Sequence, residues 1–190
     1  VGLTNGFNMV DGIDGLAAGH LMIGVICLVG IQMWVHDSVH QAEWLSLLFS
    51  TVFAFWLVNM SLTPLKRVFL GDSGSLLLGF TMSWLLIYYT QAPIGMVEPV
   101  AALWCVTLPV FDTLVVIARR LKNGRSPFSP DRKHLHHLLV DQGAPPRVAL
   151  AVILCASLVV NIAGIAVSYV FGAWFGLLAY GAALIGFGYL

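Results

Sequence analysis

An all-α, polytopic transmembrane helix bundle is the fold class this sequence predicts, on three observations. Hydrophobic residues fill 59% of the 190 positions, charged residues only 9%, and mean hydropathy is +0.90, so most of the chain is more stable in hydrocarbon than in water. Six windows are apolar over roughly the length of a span: Leu16 to Val35, Trp44 to Leu62, Ser75 to Tyr89, Pro99 to Ala118, Val148 to Val170 and Gly172 to Leu190. All nine Lys and Arg residues fall in two stretches, Lys66-Arg67 and Arg119 to Arg147. Formal neutrality excludes a strongly basic nucleic-acid binder.

The connections between windows alternate in charge. His36 to Glu43 and Thr90 to Glu98 carry acids but no Lys or Arg, whereas Thr63 to Gly74 and Arg119 to Arg147 hold every cation. The positive-inside rule puts the cationic loops in the cytoplasm, and counting back through two spans puts Gly2 to Gly15 on that face as well. Three polar segments are therefore expected on one side of the membrane.

The first segment runs Asn5-Gly-Phe-Asn8-Met-Val-Asp11-Gly-Ile-Asp14-Gly-Leu. Its polar groups recur every third residue, and on a helix Asp11 and Asp14 would share a face. The alternative is an Asn/Asp/Gly loop that caps the first span, although a cap needs one acceptor and the segment has four.

The second segment, Gly71-Asp72-Ser73-Gly74-Ser75, stands immediately before a span. Free N–H groups and the positive dipole end of a helix attract phosphate there, and glycines let it approach the backbone. Asp72 is either a cap or a ligand to Mg²⁺, which needs only one or two carboxylates beside phosphate oxygens.

Between the second and third segments the fourth window holds an acid, Asp112, that is either functional or paired with a basic neighbour. The third segment runs Ser126-Pro-Phe-Ser129-Pro130-Asp131-Arg132-Lys133-His134-Leu135-His136-His137-Leu138-Leu139. Ser129 as N-cap, Pro130 as first helical residue and Gly143 beyond the end describe a short helix with Leu135, Leu138 and Leu139 as its buried stripe. His134 and His137 share another face near Lys133, and His136 flanks the leucines on the far side, an arrangement that suits diphosphate recognition with Arg132 and Lys133 better than a zinc site. An interfacial helix meeting anionic headgroups is the alternative.

The last two windows follow Arg147 without a charged side chain and read as scaffold, with Gly164, Gly172, Gly176, Gly181 and Gly186 suited to close helix packing. Cys27, Cys105 and Cys155 are odd in number, far apart and set in apolar runs, so they read as packing residues. His20, His36 and His40 lie near span ends, where a polar tip reaches the interface.

Taken in order, the Asn5-to-Leu16 segment, Gly71-Asp72-Ser73-Gly74-Ser75 and His134-Leu-His136-His137 resemble the polyprenyl-phosphate N-acetylhexosamine-1-phosphate transferases. The resemblance covers essentially the whole chain and implies the following. The reaction is transfer of N-acetylhexosamine 1-phosphate, GlcNAc-1-phosphate first among the candidates, from a UDP-sugar to undecaprenyl or another polyprenyl phosphate, with release of UMP. Asp11 and Asp14 would be catalytic, and Asp72 with Asn8 would bind Mg²⁺, for which Mn²⁺ could substitute, with Asp11 competing for the second ligand role. Asn5, Asn8, Gly71, Ser73, Arg132, Lys133, His134, His136 and His137 would bind substrate.

The run Pro127 to His137 looks WecA-type, because MraY-type members show three consecutive histidines and Leu135 interrupts them here. The MraY-type pentapeptide transferase remains the alternative, and a membrane transporter a remoter one. The family's adjacent Asp-Asp pair sits on an earlier loop and has no counterpart in these residues, so residues 1–190 are expected to be the C-terminal portion of one domain, inactive alone. The resemblance further implies a multi-pass protein of the bacterial inner membrane with its active site toward the cytoplasm. Small-residue faces leave room for a homodimer.

Overall fold

The computed structural model describes residues 1–36, 42–91, 94–126 and 134–189, and every regular element among them is a helix. Helix α1 (Gly2–Val10) is wedged between α4 (Gly71–Thr90) and α6 (Thr107–Lys122). Two glycines permit that wedge. A Cβ on Gly79 would lie 2.8 Å from Thr4 Cα, and one on Gly6 would lie 2.9 Å from Thr113 Oγ1. The N-terminal segment is thus a packed helix over Gly2–Val10, with Phe7 fully enclosed, and not the capping loop that is the alternative reading of the sequence.

Helix α2 (Leu16–His36) is the central post, packed against α3 (Ala42–Asn59), α4 and α8 (Pro146–Phe171). A turn from Asp11 to Gly15 joins it to α1. There Gly15 adopts φ +81°, and its carbonyl accepts a 3.1 Å hydrogen bond from Trp56 Nε1 of α3. Two stretches, Leu16–Val35 and Pro146–Phe171, are both long and apolar enough to cross a membrane, while Glu43–Asn59 and Ala173–Phe187 are shorter apolar helices.

The fourth apolar window is broken in two: α5 (Pro99–Trp104) stops and α6 restarts at Thr107. Pro109 explains the break, because it has no N–H to offer the Cys105 carbonyl. That carbonyl instead accepts a 3.1 Å bond from Asn161 Nδ2 of α8, and Thr107 Oγ1 donates to Trp104 O at 2.9 Å.

The short helix α7 (Leu135–Asp141) follows, then α8 and, after Gly172 at φ +92°, α9 (Ala173–Phe187). Of the glycines assigned to packing in this half, Gly164 and Gly176 do so: a Cβ there would meet the Trp104 ring at 1.9 Å and Ser168 Oγ at 2.2 Å. Gly181 and Gly186 face open space. Cys27 and Cys105 are buried as expected, but Cys155 is exposed on α8. His20 also departs from expectation, being buried in α2 with Nδ1 at 3.4 Å from Ser157 Oγ, whereas His40 and the side chain of His36 lie outside the described residues.

Candidate active site

Three chain segments converge on a cleft of about 600 Å³: the Asp11–Asp14 turn, the start of α4, and α7. The first helix stops at Val10, so Asp11 and Asp14 are not stacked on a helical face as the spacing suggested. Gly12 and Gly15, on either side of Ile13-Asp14, favour a turn over another helical turn. Both carboxylates still line the cleft. Asp14 pairs with Arg67, which also lies 4.7 Å over the Phe69 ring. Asn59 Nδ2 donates to Val68 O at 2.9 Å and so ties the Arg67–Phe69 strand of loop to the end of α3.

Asp72 sits in the first turn of α4, not before it as the apolar window implied, because the helix begins at Gly71 with φ +67°. Asn8 reaches across from α1 and donates through Nδ2 to Asp72 Oδ1 at 3.2 Å and Ser75 Oγ at 2.9 Å. Ser75 Oγ in turn donates to the carbonyls of Gly71 and Asp72. Asn8 therefore presents its amide nitrogen to Asp72 and orients that carboxylate. Asp11 lies close enough to Asp72 for burial and the neighbouring negative charge, in that order, to push its pKa from 3.8 up to about 6. Two carboxylates crowded in this way are a donor set suited to a divalent cation, although no cluster of three or more His, Cys, Asp or Glu ligands occurs among the described residues.

The opposite wall is imidazole. Helix α7 begins at Leu135, with His134 extended at the N-cap position. The proposed cap at Ser129 and first turn at Pro130, like Arg132 and Lys133, lie outside the described residues. Leu135 and Leu139 pack on a small cluster of Leu16, Leu108, Leu150 and Ile153, as the stripe predicted, but Leu138 does not join them and the buried residue of α7 is His136.

His136 and His137 line the cleft with ring centroids 4.2 Å apart. His134 does not line it. It is buried behind, its Nδ1 2.7 Å from Asp112 Oδ2. His136 fits into the Asp11–Ile13 turn, where a Cβ on Gly12 would lie only 2.0 Å from His136 Nε2. Burial, then the neighbouring His137, pushes the His136 pKa down to about 4, so this ring is neutral at physiological pH.

Asn5 and Ser73 stay outside the cleft: Asn5 turns back to Val1 O at 2.8 Å, and Ser73 is exposed on α4. Gly71 does line the cleft. Sequence reasoning missed Gly12, Asn59, Phe69 and Ser75 as site residues; Gly12 and Ser75 lie within recognised motifs and Phe69 beside one, whereas Asn59 ends α3 and belongs to none.

The sequence profile of glycosyl transferase family 4 matches residues 1–90, which contain the first two motifs. An undecaprenyl-phosphate alpha-N-acetylglucosaminyl 1-phosphate transferase of Escherichia coli (strain K12) is 36% identical over 166 residues, 87% of this chain and 45% of the relative.

The chain belongs to glycosyl transferase family 4.

Proteins of the same name from Yersinia pestis and Haemophilus influenzae are each 38% identical, over 162 and 139 residues; they align with 85% and 72% of this family 4 chain and 44% and 39% of their own lengths. The alignments to the Escherichia coli and Yersinia pestis proteins extend well beyond the profile, and the resemblance read from the three motifs is borne out. The chain spans less than half the length of these curated relatives. No solved structure matches it.

Proposed function

We propose that this chain forms part of a membrane enzyme that moves GlcNAc 1-phosphate from UDP-GlcNAc to undecaprenyl phosphate and releases UMP. One observation carries the reading: two crowded carboxylates and a pair of imidazoles face one cleft of about 600 Å³. Both substrates are anionic phosphates, so the task is to offset charge and align reactants. Asp72 would hold Mg²⁺, with Asp11 the better-placed partner and Asn8 orienting Asp72, although the sequence favoured Asn8 as the second ligand; Mn²⁺ could stand in for Mg²⁺. The ion would supply Lewis-acid screening of the phosphates.

His136 and His137 donate to the donor diphosphate, with Arg132 and Lys133, which precede them in the sequence, supplying charge. Asp14, steered by Arg67, serves the nucleotide end of the cleft. Asp11, when ionised, is also the acid best placed to take a proton from the lipid phosphate.

We read α2, α3, α4, the broken α5–α6 pair, α8 and α9 as six spans of a bacterial inner-membrane protein whose site faces the cytoplasm. The outward apolar side chains of α4 and α9, among them Phe80, Trp84, Phe175 and Leu178, support this reading. The test is UMP release from UDP-GlcNAc and undecaprenyl phosphate by membranes containing the complete protein of which this chain forms part. Mg²⁺-dependent release is expected. A protein that incorporates into membranes, binds neither substrate and releases no UMP would refute the assignment.

A further inference from the structure

We propose that Asp112, deep in α6 and outside the recognised motifs, is a positioning residue that sets the imidazole wall of the cleft. The inference rests on the functional reading above for its kinetic consequence and on geometry alone for its structural one. Asp112 is 5% exposed, and both of its carboxylate oxygens are committed: Oδ2 lies 2.7 Å from His134 Nδ1, and Oδ1 accepts the Leu135 backbone N–H at 2.9 Å. A carboxylate held out of water persists only with such partners. An apolar residue would fill the same space without fixing an orientation.

Orientation is what α7 lacks by itself. It has seven residues, too few to be stable alone, and its apolar contacts come from only two side chains, Leu135 and Leu139. The two bonds to Asp112 hold the first turn at a fixed angle to α6. From there the order passes ring to ring: His134 is parallel to His136, with centroids 5.9 Å apart and planes 5° apart, and His136 lies 4.2 Å from His137. In this orientation the His136 ring occupies the space left by the missing side chain of Gly12, so a Cβ there would collide with its Nε2. The other group facing Asp112 is His20 of α2, across a small cavity of about 10 Å³ also lined by His136. Asp112 thus acts on the cleft through His134 without touching substrate.

The experiment compares Asp112→Ala and Asp112→Asn with the unmodified protein in native membranes, using two readouts. The first is kinetic. Asp112→Ala should raise KM for UDP-GlcNAc about 10- to 100-fold while KM for undecaprenyl phosphate stays at its original value. Asp112→Asn can still accept from Leu135 N–H and donate to His134 Nδ1, and should stay within about threefold of the original protein. The second readout is acylation of histidines by diethyl pyrocarbonate, mapped by mass spectrometry. His134 and His136 should be protected in the original and in Asp112→Asn, and labelled in Asp112→Ala.

Unchanged donor KM together with unchanged protection in Asp112→Ala overturns the proposal, as does an Asp112→Asn variant as defective as Asp112→Ala. If Asp112→Ala fails to fold, with His20 labelled too, His134→Ala replaces it and should expose His136; continued protection there overturns the proposal. If the original protein releases no UMP, the functional reading fails while the labelling pattern still decides the role of Asp112.

Discussion

The acidic wall of the cleft carries its charged groups half open to water, whereas the imidazole wall facing it holds two of its three rings in a packed interior. Asp72 is exposed and Asp11 half-buried, with Asn8 and Ser75 arranged around them, while His134 and His136 are 5% and 3% exposed. The first wall stores electrostatic repulsion between its two carboxylates, which a bound cation would relieve. The second stores order, since His134 is hydrogen-bonded to Asp112 and His136 is neutral and stacked on His134. One wall is prepared for charge and the other for shape.

The largest effect is expected on the acidic wall. Asp72→Asn removes charge and keeps shape, and kcat for UMP release should fall about 10²- to 10³-fold; a conventional radiolabelled-sugar transfer assay checks this. Next comes the contact between the walls. Gly12→Ala places a methyl in the His136 ring position and should lower kcat/KM by about 30- to 100-fold through displacement alone. Adding His136→Ala to that variant should cost little more, because the displaced ring has already lost its place.

A smaller and graded effect concerns protons. Asp11 has its pKa raised from 3.8 to about 6, so the folded chain binds that proton more tightly than the unfolded one, and ionisation between those values costs stability. A cation reverses that cost only when the carboxylate is free. The apparent Mg²⁺ affinity, measured by activation curves at fixed substrate, should therefore weaken by about tenfold per pH unit below pH 6 and level off above it. Buffers from pH 5 to 8 suffice, and a pH-independent curve would remove Asp11 from the metal site.

The smallest effect belongs to the Asp14–Arg67 pair, which is 38% and 40% exposed. Arg67→Ala should change thermal stability in detergent by less than about 1 kcal/mol, because water and salt screen such a pair. Any large effect of that variant should appear instead in nucleotide affinity.

These two walls were not equally legible in the sequence. The acidic one was: spacing and glycine content drew attention to Asn8, Asp11, Asp14, Gly71 and Asp72, the family resemblance assigned their roles, and all five converge. Local geometry misled only in detail, because three-residue spacing suits a helix but the glycines at 12 and 15 turn the chain instead. The imidazole wall was half legible. Helical-wheel reasoning paired His134 with His137 on one face, but His134 precedes the helix and its backbone is extended, so the wheel does not apply to it. Its true partner is Asp112, 22 residues earlier, and no local pattern signals that bond. The six apolar windows foretold where helices form. The interruption at Cys105–Val106 was missed because proline near a helix start is ordinarily harmless, and only the register of Pro109 against Cys105 reveals the lost bond.

That interruption makes α8 unequal along its length as evolutionary material. Most of its apolar positions meet the outside or a forgiving core, where Val, Ile and Leu can exchange at little cost. Asn161 and Gly164, one turn apart, cannot drift in the same way: one answers the carbonyl freed by the break, and the other makes room for Trp104. A helix that looks like generic hydrophobic filler therefore carries a two-letter signature, Asn-x-x-Gly, whose meaning is written in a different helix.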